Sequence, residues 1–369
     1  MPRIKVGKRP LNAAEEQRNT ELEGWRGAVQ QYVQGCNQAE VELKDTALAG
    51  IMTDADHRLR LLHRLQRLRD RAEERGILTS QCETKAALVK INESETEVSV
   101  VLQLHLKRHI EHKGRQYTEE RIERERLWLG CESGSSNWRL TRIEPLVGER
   151  RPRYGHAAVD IALAEHKSYG NGGGSGNQPP GAPRPFLNHG VVPRINTRSR
   201  ASKYQRELVA AYADQWWQEP NPAYEEFEVN CTNYVSQCVF AGEAPMNYTG
   251  KRESGWWYRG RSGGQEQWSY SWAVSNALHL YLSFPRSTGM RAITVDSAAE
   301  LHLGDVITYD WNGDGRFQHT TIVTAFDGDG MPLVNANTVP SRHRYWDYKD
   351  SYAWTDNTRY RFYHFSDMM

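Results

Sequence analysis

Over the first 76 residues the apolar positions recur at helical spacing. Two stretches, "LNAAEEQRNTELEGWRGAVQQYVQGCNQAEVELKD" and "DADHRLRLLHRLQRLRDRAEERGI", show it, and Gly76 stands where a left-handed C-cap would close the second. The period then drops to two. In "EVSVVLQLHLKRH" Val98, Val100, Leu102, Leu104 and Leu106 alternate with mostly polar residues, which predicts a strand with one buried face. "TEERIERERLWLG" and "NWRLTRIEP" read as two further strands after the turn-like "HKGRQ" and "CESGSSN". Helices followed by a small antiparallel sheet predict an α+β accessory domain over residues 1–150. The Arg/Glu alternation of "EERIERER" predicts a solvated strand face. His105, His109 and His112 would converge on a metal if helical. The strand pattern instead predicts His105 and His109 on an exposed face and His112 beside a turn.

The patterning breaks in "YGNGGGSGNQPPGAPRP", a Gly/Pro/Ser tract that cannot bury enough surface to fold. With its basic flanks it predicts a flexible linker over 151–200 and a second domain over 201–369. That domain opens on "SKYQRELVAAYADQWWQEPNPAY", an amphipathic helix with Tyr204, Leu208, Ala211 and Tyr212 on one face. In "EEFEVNCTNYVSQCVFAGEAP" Asn230 is a suitable N-cap, and Tyr234, Val235, Cys238 and Val239 form one buried stripe. Further on, "DVITYDW", "HTTIVTAF" and "PLVNANT" read as strands joined by the turns "NGDG" and "DGDG".

The helical reading separates the two cysteines of that stretch. Cys231 falls at the first turn, where unpaired backbone N–H groups and the helix dipole lower a thiol pKa from its usual ~8.5. Cys238 comes two turns later among apolar neighbours, where a thiol packs. At 1.5 Å per residue the sulfurs stand roughly 10 Å apart, beyond disulfide reach. A nucleophilic thiol needs a base that a third group orients. His319 opens the second strand, and Asn335 and Asn337 lie on the third, two apart and hence on one face. This predicts a papain-like site of nucleophile Cys231 and base His319, with Asn337 or Asn335 as the orienter. The backbone N–H of Cys231 would serve as oxyanion donor. Trp256, Trp257, Tyr258, Trp268, Tyr270 and Trp272 would wall the cleft or fill the core.

Composition narrows the classes. Forty-seven basic against 46 acidic residues give a net charge of +1, so nothing drives the chain toward nucleic acid. No apolar run reaches the length of a membrane span. Most of the 12 tryptophans fall after residue 250, which promises a real core there. Five cysteines argue against a disulfide framework. The N-terminus has no apolar h-region, so no Sec-type signal is expected. The cytoplasm is the default location, with signal-less export the other route. Asp310, Asn312 and Asp314 have the alternate spacing of a calcium loop, but the twelfth position is Thr321 rather than a bidentate Glu, and a tight turn suffices. No CxxC pair supports zinc and no glycine-rich loop supports a nucleotide. No cofactor is expected.

"NCTNYVSQC", "GWWYRG", "SYSWAVSNAL", "LGDVITYDWNGDGRFQHTTIVT" and "NTVPSRHRYWDY" occur in order over roughly residues 200–366. Together they resemble the putative amidase domain family of Gram-positive bacteria, whose fold is similar to CHAP amidases and NlpC-type cell-wall peptidases. The resemblance implies a C-terminal papain-like cysteine hydrolase that cuts an amide bond, with Cys231 and His319 in the nucleophile's and base's places. Asn337 stands where relatives usually carry His, and Asn230 where many carry Asp. The implied partner is a peptide or other amide substrate, peptidoglycan among them. Two rival functions use the same fold: a silent peptide- or cell-wall-binding module, and an acyltransferase that passes the thioester to an amine.

Overall fold

The structure, a computed structural model, describes residues 24–132, 137–149, 203–262, 265–286 and 289–369. The expected linker at 151–200 lies outside the described residues. The architecture is α+β with one large antiparallel sheet. Helices α1 (Gly24–Glu42) and α2 (Ala55–Arg75) come first, then strands β1 (Ile77–Glu93), β2 (Glu97–His112), β3 (Arg115–Gly130) and β4 (Arg139–Pro145). Helices α3 (Arg206–Trp216) and α4 (Cys231–Ala241) follow, then the hairpin β5 (Tyr258–Ser262) and β6 (Gln265–Trp268). Next are α5 (Tyr270–Ala273), α6 (Ser275–Leu282), β7 (Ala292–Val295), β8 (Val306–Asp310) and β9 (His319–Phe326). The chain ends on β10 (Pro332–Ala336), β11 (Ser341–Tyr345) and β12 (Arg359–Phe365).

The caps of α2 fall where the residues ask for them. Asp54 accepts the N–H of His57, and Gly76 ends the helix at φ 65°. In β2 the alternation is literal, with Val98, Val100, Leu102, Leu104 and Leu106 all buried beneath α1 and α2. The sheet order is β1-β2-β3-β11-β10-β9-β8-β12-β7, with β4 on β3. One sheet therefore runs through both halves of the chain. The seam is short: Arg121 pairs with Ser341 and Glu120 with Arg342.

Side chains finish the join, and here the solvated-face expectation fails. Glu119 and Arg121 of "EERIERER" are 1% exposed. Arg121 donates to Glu40 at 2.7 Å and Glu119 at 3.2 Å, and Arg64 also pairs with Glu40. On the other half Arg64 donates to the Asp350 carbonyl, Arg344 pairs with Asp350 at 3.0 Å, and Arg71 pairs with Asp347 at 2.8 Å. Alternating charge reads as solvent-facing only if nothing covers the strand; α1 and the 345–351 segment cover this one. The histidines of β2 also depart in part from expectation. His105 is only part-exposed and meets Glu120 at 3.0 Å, while His112 is buried beside Asp327 and Asp329 of the other half.

The C-terminal half carries a core on each sheet face. One joins α3, α4 and the aromatic set Trp256, Trp257, Trp268 and Trp272 to Val306 and Ile322. The other gathers Ile307, Tyr309, Trp311, Val323, Val334 and Tyr348. On α3 the buried positions are Val209 and Ala213, while Leu208 is 49% exposed, so the stripe lies one residue away from the predicted face. The contact with α4 sets this rotation. A β-carbon on Gly242 would stand 2.3 Å from Val209 Cγ2, so only glycine lets the two helices approach this closely.

Candidate active site

Cys231 is the first residue of α4 and is buried. Every position from Cys231 to Val239 is buried, so the helix is held on all sides. Asn230 does not cap it through its side chain. Its Oδ1 accepts from Asn233 Nδ2 at 2.8 Å, and its Nδ2 donates to Asn337 Oδ1 at 2.7 Å. The cap comes from elsewhere: Thr338 Oγ1 accepts the backbone N–H of both Asn230 (2.8 Å) and Cys231 (2.9 Å). The expected oxyanion donor is thus engaged by a hydroxyl in this structure.

Cys238 behaves as its spacing suggests. It is buried in the apolar core, and burial pushes its thiol well above the ordinary range. All five cysteines are thiols rather than disulfides. The aromatic residues around α4 are mostly core: Trp256 donates to Ser236 Oγ at 3.0 Å and Trp272 to Asn233 Oδ1 at 2.8 Å.

His319 begins β9, and Thr320 beside it meets Thr232, the neighbour of Cys231, at 3.1 Å between hydroxyls. The candidate nucleophile and base therefore flank a direct contact. The imidazole itself faces the other core, with the rings of Tyr348, Tyr309 and Trp311 at 5.2, 5.5 and 5.8 Å. It is fully buried, and neither ring nitrogen has a hydrogen-bond partner among the described residues. Burial and then the Arg344 guanidinium lower its pKa to about 3.

Neither asparagine orients this imidazole. Asn335 pairs across the sheet with Ile322, so its side chain lies on the α4 face, whereas His319, three residues from Ile322, faces away. Asn335 donates to Asp214 at 2.8 Å and accepts from Thr324 and the His343 N–H. Asn337 donates to the carbonyls of Trp216 and Trp217, and so braces the end of α3 against the start of α4. In this structure neither Asn335 nor Asn337 is brought to the imidazole.

A segment absent from the sequence expectation crosses the His319 face. After β4, Gly148 lies against Thr338 and Val339, where a β-carbon would meet their methyls at 3.4 and 3.5 Å. The next carbonyl, of Glu149, accepts Trp311 Nε1–H at 2.9 Å, and its buried carboxylate takes Arg344 Nη1 at 3.2 Å and Ser351 Oγ at 3.4 Å. The calcium-loop candidates serve a turn. The buried Asp310 carboxylate accepts the N–H groups of Asn312, Gly313 and Gly315, and Asp314 accepts that of Arg316. Among the described residues no cluster could hold a metal ion.

The family described as putative amidase domain matches residues 203–363, the part that holds Cys231, His319 and Thr338. The C-terminal half is a putative amidase domain. Curated relatives share parts of it. The uncharacterized protein YhbB of Bacillus subtilis strain 168 is 52% identical over 168 residues, covering 46% of this chain and 52% of YhbB. The uncharacterized protein YjcM of the same organism is 26% identical over 137 residues, 35% of this chain and 30% of YjcM. The chain thus spans about half of the first relative's length and less than a third of the second's. Among solved structures, the intermembrane space region of chloroplast protein ARC6 aligns with a TM-score of 0.24 at 16% identity, over 35% of this chain and 95% of that one. That score carries no argument about fold.

Within the amidase domain, sequence reasoning missed Thr338, Trp311, Arg344 and Tyr348 around the site, and Glu149 from outside the domain. Only Thr338 left a local trace, as the hydroxyl directly after Asn337. The buried imidazole makes a pH test available. A native pKa near 3 against an unfolded value near 6.5 means that the unfolded chain alone takes up the proton between those values. Stability then falls as pH drops through 6.5 toward 3. We expect wild type to lose about 2 kcal/mol more than His319→Gln between pH 7 and pH 5. Urea denaturation at the two pH values measures this, and parallel losses would contradict a neutral, dry imidazole.

Proposed function

We propose that the amidase domain hydrolyses a peptide amide bond through Cys231, with His319 as its base. The observation that carries this reading is the buried imidazole with no hydrogen-bond partner, on the strand whose Thr320 contacts the start of α4. A buried ring with both nitrogens unpaired costs stability, and such groups persist where chemistry uses them. A base of pKa about 3 does not accept a proton from a thiol of ordinary acidity, so this chemistry requires a more hydrated form of the site. In the working form the site admits water, the imidazole pKa rises, and the ring takes the Cys231 proton. The thiolate attacks the amide carbonyl, and the imidazolium protonates the leaving amine. Water then hydrolyses the thioester, with His319 as base once more. The Cys231 N–H, released from Thr338, would stabilise the oxyanion. The fold reading that goes with this chemistry is papain-like, and the substrate class is a peptide such as a cell-wall stem.

The reading is tested by trapping. Acid quenching of the protein with a substrate peptide should leave an acyl adduct on Cys231, seen by intact mass and lost in Cys231→Ala. One specific observation favours a rival, the silent binding module: the imidazole makes no hydrogen bond to the sulfur. Under that reading peptide binds but neither adduct nor cleaved product forms. Among the described residues no helix is long and apolar enough to cross a membrane.

A further inference from the structure

We propose that the segment Leu146–Glu149 occupies the substrate cleft of the Cys231 site as a built-in ligand. The cleft then takes peptides in which a carboxylate-bearing residue directly follows one with little or no side chain. The inference rests on the Cys231–His319 site being the reacting centre.

Four observations converge on it. Gly148 sits against Thr338, whose hydroxyl holds the Cys231 N–H, and a β-carbon there would already touch two methyl groups. A small side chain at this position would make ordinary van der Waals contact with Thr338 and Val339. One residue on, the chain is held as a bound peptide is held, by its carbonyl: Trp311 Nε1 donates to Glu149 O. The Trp311 ring that holds this carbonyl lies 5.8 Å from that of His319. The Glu149 carboxyl is buried, which raises its pKa to about 7, and the Arg344 guanidinium and the Ser351 hydroxyl both point at one of its oxygens. Arg344 is itself positioned by Asp350 at 3.0 Å and by the face of Tyr348 at 4.0 Å, so the pocket survives without Glu149.

The site is closed in this structure: Cys231 is 1% exposed and His319 is fully covered. A segment of the same chain competes at high effective concentration, so a free peptide needs either high concentration or release of the segment. The accessory half would then regulate the amidase domain by contributing this segment.

The test uses the full chain and labelling of Cys231 by iodoacetamide, quantified by mass spectrometry of its peptide. Glu149→Ala should label at least tenfold faster than wild type at Cys231 and no faster at Cys238. Millimolar acetyl-Leu-Val-Gly-Glu-amide should restore slow labelling in that variant, while the Gly-Gln and Trp-Glu versions should not. If circular dichroism shows that Glu149→Ala does not fold, the near-isosteric Glu149→Gln replaces it with the same expected direction. Equal labelling of wild type and a folded variant, or equal protection by the Gln peptide, would overturn the proposal. Protection is a binding readout, so it separates the two readings. Peptide that protects Cys231 but is never cleaved overturns hydrolysis and leaves the occupant standing; cleavage without acid-dependent protection does the reverse.

Discussion

Cys231→Ala is expected to reduce amide turnover by about 10⁴-fold or more, leaving only what binding and oxyanion contacts supply. His319→Gln should cost about 10²–10⁴-fold, the usual share of a general base. The two losses should not add, because thiol and imidazole act as one unit. Both variants should fold: Cys231→Ala removes one sulfur from the helix start, and glutamine is a neutral side chain that replaces an imidazole held neutral by burial. Initial rates on a peptide substrate, measured in the Glu149→Ala background so that closure does not mask chemistry, give the comparison. Turnover that survives Cys231→Ala would end the thiol mechanism. Turnover that needs Cys231 but ignores His319 would assign the base elsewhere.

Asp350→Ala is expected to destabilise the whole chain by about 3–5 kcal/mol, the cost of leaving buried cations without their partner. Asp350 is 1% exposed, and burial alone would raise its pKa. Arg344, Arg121, Arg71 and Arg64 more than offset that and hold the carboxyl well below the usual range. Its removal strands Arg344, which it meets at 3.0 Å, and weakens Arg121 at 3.6 Å. Three of these arginines, Arg64, Arg71 and Arg121, belong to the accessory half, so the loss should spread across the sheet seam and lower a single unfolding transition. The control is Asp45→Ala, which breaks the Arg58–Asp45 pair, where the Arg58 side chain is 44% exposed. That change should cost no more than about 1 kcal/mol. Urea midpoints of the two variants decide the matter; equal shifts would show that the buried network adds nothing to the join.

Several parts of this protein were legible without its neighbours. The alternation of β2, the caps of α2 and the buried stripe of α4 follow from local periodicity and turn chemistry. So does the contrast between Cys231 at a helix start and Cys238 seven residues on in the core. β1 left no such mark. Its sequence "ILTSQCETKAALVKINE" is exposed on both faces along its second half, so no alternation records the pairing with β2. The charged run of β3 misled for the opposite reason, because the groups that bury Glu119 and Arg121 come from remote parts of the chain.

The sequence by itself determined that a cysteine opens a helix in an amidase domain and that a histidine opens a strand behind it. Both are local facts of spacing, capping and motif. Only the tertiary structure decided which side of the sheet that histidine faces, since facing depends on cross-strand register. The pairing of Asn335 with Ile322 sends Asn335 to the α4 side and His319 to the other, while Asn337, in the turn beyond the strand, bonds to Asn230 at the start of α4. It also decided what covers the site, because Thr338, Arg344 and Glu149 meet there from segments that no local pattern connects.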